Sequence, residues 1–238
     1  MKEQLPHMGG EIYSEGISLK NKRQSNMDRL LLCENIVADM QLFLAAVCDG
    51  VGSTRDGAYA AAQTLKLLQD WFYSLNDTES LGLHFLLSMK KINIELSEQI
   101  LHQRLEAATT FSGIILAENQ YYLVHVGDSR IYGWKNGCIK QLTQDCVSEQ
   151  GALSSYLGRK RSAAFLYCEG KNEYEKYLLC TDGFYRRIDR KLLNTQLMLL
   201  RKRNVRKTLK LLTEAVILGG EKDNVTVALI INERGGEG

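Results

Sequence analysis

The run Leu42-Phe43-Leu44-Ala45-Ala46-Val47-Cys48 offers no polar residue to either face of an extended chain. A strand of this kind is buried on both faces, so the fold must supply cover above it and below it. Two amphipathic helices are expected to follow it, over 57–75 and 80–105. Ala61, Leu65, Leu68 and Phe72, then Phe85, Met89, Ile92, Leu96 and Ile100, recur there at three- and four-residue spacing. Strands are expected at 12–20 and 29–35, with the apolar run itself in a strand over 41–48.

From Thr109 the period changes to two. Strands are expected at 111–117, 121–126, 130–134 and 138–142, separated by Glu118-Asn119, Gly127-Asp128 and Asn136-Gly137. This spacing predicts an antiparallel meander. A strand at 175–180, basic amphipathic helices at 190–201 and 205–218, and a last strand at 225–232 complete the pattern. Strand groups on either side of helix groups predict an α+β fold of packed antiparallel sheets covered by helices. No Gly/Ser/Pro-rich linker divides the 238 residues, whose one proline is Pro6. One domain over 1–233 is therefore expected, with the glycine-rich 234–238 as a frayed tail.

A hydrophobic content of 45% with 24% charged residues excludes a disordered or collagen-like chain. Thirty Lys+Arg against 28 Asp+Glu give a net charge of +2, so nucleic acid is not the default partner and any phosphate recognition must be local. No apolar run approaches the roughly 20 residues of a membrane-spanning helix, and the start lacks a signal-peptide core. The expectation is a cytoplasmic protein without membrane association. The six cysteines form no C-x-x-C pair and are read as reduced and structural, with no zinc site.

The acids lie at strand boundaries. Asp49-Gly50 ends the apolar run, Gly127-Asp128 follows 121–126, and Asp182-Gly183 follows 175–180; Asp28 and Asp223-Asn224 stand just before strands. Any one Asp-Gly pair is read first as a plain turn. In antiparallel neighbours, however, the end of one strand lies beside the start of the next, so five carboxylates are expected to converge on one rim. They would raise one another's pKa values unless hard divalent cations were bound there.

These residues carry a resemblance. Arg23-x-x-Asn26-x-Asp28, Asp49-Gly50-Val51-Gly52, Ala108-Thr109-Thr110, Val126-Gly127-Asp128-Ser129-Arg130-Ile131-Tyr132, Leu142-Thr143-Gln144-Asp145, Thr181-Asp182-Gly183-Phe184 and Asp223-Asn224-Val225-Thr226 resemble, in order, the motifs of the metal-dependent protein phosphatases of type 2C. The resemblance implies a four-layer α-β-β-α sandwich that hydrolyses phosphoserine and phosphothreonine with two Mn²⁺ or Mg²⁺ ions. It implies that Asp49 bridges both ions, that Gly50 offers its carbonyl, and that Asp182 and Asp223 complete one shell. Asp128 would help hold a third, weaker ion. Asp28 would hydrogen-bond metal-bound water, with Asn224 supporting, and Arg23 would grip the substrate phosphate. Phosphoproteins, and a kinase pathway that makes them, are the implied partners. Paired divalent ions make such chemistry coherent, since they lower the pKa of a bridging water and neutralise phosphoryl charge.

The chain departs from that pattern at Met27, where many members carry a Glu ligand, and at Val51, where some carry a His general acid. Ser53 and Ala108 replace glycines, and the stretch between Thr143 and Tyr177 is short for the flap many members carry. These departures motivate a second reading, a pseudophosphatase or phosphoprotein-binding module with little turnover. A two-metal nuclease is a third, weakened by the near-neutral charge. His7, His84, His102 and His125 show no metal-ligand spacing, and the basic residues from Arg186 to Lys207 are read as solvated helix faces.

Overall fold

The computed structural model describes residues 12–159 and 163–233. Pro6, His7 and the tail at 234–238 lie outside the described residues. In chain order the elements are β1 (Ile12–Leu19), β2 (Arg29–Val37), β3 (Met40–Cys48), α1 (Gly57–Tyr73) and α2 (Leu81–His102). Next come β4 (Phe111–Leu116), β5 (Gln120–Val126), β6 (Arg130–Lys135), β7 (Cys138–Gln141), β8 (Leu166–Lys171) and β9 (Lys176–Cys180). The chain closes with α3 (Asp182–Tyr185), α4 (Arg190–Leu199), α5 (Val205–Leu218) and β10 (Val225–Asn232).

Two antiparallel five-stranded sheets form, in the orders β2-β3-β4-β5-β8 and β1-β10-β9-β6-β7. The alternation along β3 shows how they stack. Leu42, Leu44, Ala46 and Cys48 point into a core shared with α1 and α2, whereas Phe43, Ala45 and Val47 point into a core shared with β9 and β10 of the other sheet. All seven are fully buried, as the apolar run required. A third core packs α4 and α5 on the far side of the second sheet through Leu193, Leu197, Leu209, Leu212 and Val216. The order of layers is therefore helices, sheet, sheet, helices. At about 1.5–3 kcal/mol for each large apolar side chain buried, β3 is a principal contributor to holding it.

The expected meander over 111–142 does not form. β4 pairs with β5 in one sheet and β6 with β7 in the other, so the Gly127-Asp128 link carries the chain between sheets instead of closing a hairpin. Gly127 has φ +111, and a Cβ there would sit 2.6 Å from the Thr110 Cβ. That combination of positive φ and close approach demands glycine for a crossover as much as for a turn, which is why the turn signal was ambiguous. β8 was missed altogether: Leu-Tyr-Cys-Glu-Gly-Lys has weak alternation, and as an edge strand it owes its shape to pairing with β5. Among the described residues no helix is long and apolar enough to cross a membrane.

Candidate active site

Sheet register brings the acids together. Arg29 of β2 pairs with Cys48 of β3, so Asp28 and Asp49 flank one another at the end of the first sheet. Cys180 pairs with Val227 on one side and Arg130 on the other, which sets Asp182, Asp223 and Asp128 at the same end of the second. Asp28, Asp128 and Asp182 are 2%, 7% and 9% exposed, a rare degree of burial for carboxylates.

The backbone of Asp49 is fixed by Thr109 and Thr110. Thr109 Oγ1 donates to the Asp49 carbonyl at 3.0 Å, Thr110 N–H donates to the same oxygen at 2.9 Å, and Asp49 N–H donates to Thr110 Oγ1 at 3.0 Å. Asp28 is held from the opposite sheet, where Thr181 Oγ1 donates to its Oδ2 at 2.8 Å. Asn224 ties down the segment that carries Arg23. It donates to the carbonyls of Lys20 and Ser25 at 2.9 Å and accepts from Met27 N–H at 2.9 Å. Gly50 donates its N–H to the Met27 carbonyl at 3.3 Å and lies against Gly57 at the start of α1.

Gly183 is needed for α3 to sit where it does, because a Cβ there would lie 1.9 Å from the Asn224 carbonyl oxygen. Gly183→Ala is expected to force Asp182 away from Asp223 and to cost about 1–3 kcal/mol, the usual range for overpacking. Urea denaturation measures it; an unchanged midpoint would show that the backbones part freely.

The electrostatics are those of acids forced together. Burial, then Asp28, Asp182 and Asp128, push Asp49 well above the ordinary carboxylate value; crowding by protein atoms does this although solvent still reaches it. Burial raises Asp28 to about 7, against hydrogen bonds from Thr226 and Thr181. Burial and Asp182 raise Asp128 to about 6, partly offset by Arg186. Asp182 is also raised, by burial above all, with Arg186 partly offsetting it. Asp223 goes the other way: burial pushes it up, but the Arg23 fork outweighs burial and holds it below the usual range. That fork is bidentate, with Nε to Oδ1 at 2.7 Å and Nη2 to Oδ2 at 2.5 Å.

The donors fit a hard divalent cation, being oxygen-only and carrying more negative charge than the protein neutralises. Among the described residues no three acids close on one point as a finished shell; Arg23 engages Asp223, and Arg186 lies beside Asp182 and Asp128. Arg186 corrects the sequence reading. It was placed on a solvated face, but its Nη2 lies 2.7 Å from Asp182 and 3.7 Å from Asp128. Its position four residues after Asp182 on a helical turn was the available signal.

Other basic residues are partnered too, Arg206 with Glu15 and Lys202 with Glu233. His125 is buried, with Nδ1 2.8 Å from Ser112 Oγ and Nε2 3.0 Å from the Gln144 carbonyl, a satisfied core histidine. A support that the motifs contained but the sequence reading gave no role is Arg130. It forks onto Asp145 at 2.6–3.2 Å and stacks 3.6 Å over the Tyr185 ring, joining the loop after β7 to α3. All six cysteines are free.

The two antiparallel sheets stack between helices, with acids gathered where both sheets end. Solved structures share this fold: Stp1 from Staphylococcus aureus superposes with a TM-score of 0.83 at 19% identity, over 97% of this chain and 99% of that one. The catalytic domain of PstP in complex with two manganese ions gives 0.73 at 24% identity, over 93% and 98%. The serine/threonine phosphatase stp of Listeria monocytogenes (strain F2365) is 26% identical over 220 residues, covering 79% of this chain and 83% of that protein. PstP of Mycobacterium tuberculosis is 26% identical over 210 residues, 78% of this chain and 40% of that one. Residues 16–215 match the protein phosphatase 2C family, and the chain belongs to it. By class it is a protein-serine/threonine phosphatase.

Proposed function

We propose that this protein dephosphorylates phosphoserine and phosphothreonine in proteins with two Mn²⁺ or Mg²⁺ ions held by Asp49, the Gly50 carbonyl, Asp182 and Asp223. The observation that carries this is the convergence of buried, mutually repelling carboxylates from both sheets on one rim. The chemistry two such ions supply when bound is a water acidic enough to be hydroxide near neutral pH, together with neutralisation of phosphoryl charge.

The chain's own residues do the rest. Asp49, clamped by Thr109 and Thr110, would serve as a ligand to both ions. Asp28, oriented by Thr181, would accept a hydrogen bond from a water held at the site. Asp128 borders the site beside Asp182. Arg23 presents a planar two-pronged donor, and the geometry that now grips the Asp223 carboxylate suits a phosphate equally well. With Asp223 taken up as a metal ligand, the Arg23 fork would be free for the substrate phosphate. Val51 offers no proton, so protonation of the leaving oxygen falls to water. Residues 1–233 act as one catalytic unit, in the cytoplasm, on phosphoproteins supplied by a serine/threonine kinase.

The test is hydrolysis of matched phosphothreonine and phosphotyrosine peptides with Mn²⁺ and with chelator. Phosphate release from the phosphothreonine peptide, dependent on Mn²⁺ and at least about tenfold faster than from phosphotyrosine, is expected. Tight peptide binding without release would instead select a phosphoprotein-binding module.

A further inference from the structure

Among the described residues, two guanidiniums pair with the acids of the rim, and they are used differently. Arg23 makes a closed, bidentate pair with Asp223 alone. Arg186 lies between two acids contributed by different segments, 2.7 Å from Asp182 Oδ2 and 3.7 Å from Asp128 Oδ2. Asp128 comes from the crossover between sheets and Asp182 from the start of α3, so a cation between them joins the two segments. The Arg186 side chain is 53% exposed, so it reaches into this position from solvent.

Charge counting says what this cation does. Asp28, Asp49, Asp128, Asp182 and Asp223 against Arg23 and Arg186 leave a formal charge of minus three when all are ionised. Two divalent ions turn that into plus one, a surplus suited to a phosphate dianion. A third divalent ion beside Asp128 would have to enter an already positive site and displace a guanidinium that is covalently part of the protein.

The geometry points to Arg186 as a built-in cation that occupies the Asp128–Asp182 position and limits the rim to two divalent ions. It is a positioning residue: it holds Asp128 against Asp182 and keeps that pair from recruiting a further ion. This rests on the dinuclear reading above and departs from the third, weaker ion that the resemblance implied.

The experiment counts Mn²⁺ bound per chain by equilibrium dialysis up to millimolar concentration, with electron paramagnetic resonance of free Mn²⁺ as a second readout. The wild type is expected to bind two ions and Arg186→Ala three, the added one lost again in Arg186→Ala/Asp128→Asn. Arg186→Lys, which retains the charge, is expected to stay at two and serves if the alanine variant is unstable. Three ions in the wild type, or two in a folded Arg186→Ala protein, would overturn the assignment and leave the dinuclear reading intact. No bound ion in the wild type would overturn the dinuclear reading itself.

Discussion

Asp49→Asn is expected to lower Mn²⁺-dependent phosphopeptide hydrolysis by a factor on the order of 10³ or more while the fold persists. The residue lies against acids of both sheets, and its backbone is fixed by Thr109 and Thr110 whatever its side chain carries. An amide keeps the shape but cannot supply a bridging negative charge. The same change has a second, opposite effect. Without metal, Asp49 must retain a proton or repel Asp28, Asp182 and Asp128, so an amide relieves a buried acid. The variant should melt higher than the wild type in chelator at pH 8, by about 1–3 kcal/mol of stability. Full activity in folded Asp49→Asn protein would sink the dinuclear reading; a lower melting point in chelator would refute the electrostatic account.

The metal-free protein is expected to gain stability as the pH falls from 8 to 6, the reverse of ordinary acid denaturation. Asp28 at about 7 and Asp128 at about 6 lie above the unfolded carboxylate value, and Asp49 is also raised well above it. Between the unfolded value near 4 and these folded values, the native state holds protons that the unfolded chain has released. Stability therefore falls as pH rises through that window. His125, lowered by burial, opposes this only below its unfolded value near 6.5. The stability that Arg23 lends Asp223 is present throughout this range, since it is lost only as pH falls through a folded value below the ordinary one. At about 1.4 kcal/mol per pH unit per group, the gain amounts to roughly 2–4 kcal/mol, or about 5–10 °C in melting temperature. Millimolar Mn²⁺ should abolish the trend, because it binds the ionised acids that protons otherwise neutralise. Melting scans in chelator and in Mn²⁺ decide it, and a metal-free melting temperature that drops steadily from pH 8 to 6 would contradict the burial of these groups.

The layers were legible because periodicity is a local property. The run from Leu42 to Cys48 could be read as two-faced without knowing its neighbours, and the stripes Ala61-Leu65-Leu68-Phe72 and Phe85-Met89-Ile92-Leu96 announced the helices that cover it. The acids were legible for a related reason: each stands at the end of a readable strand, and antiparallel pairing brings strand ends together. Gly127-Asp128 was misread because a hairpin and a crossover make the same local demand on the backbone, and β8 was missed because an edge strand takes its conformation from a partner.

By itself, then, the order of residues determined nine of the ten described strands, the four longer helices, the two-sided burial of β3 and which five acids stand at strand boundaries. Which sheet each strand joined, that Arg23 rests on Asp223, and that Arg186 lies between Asp128 and Asp182 were decided only in three dimensions. Those features depend on distances between segments remote in sequence. The four-residue spacing from Asp182 marks one partner of Arg186, but the other, Asp128, comes from a segment that local spacing cannot place.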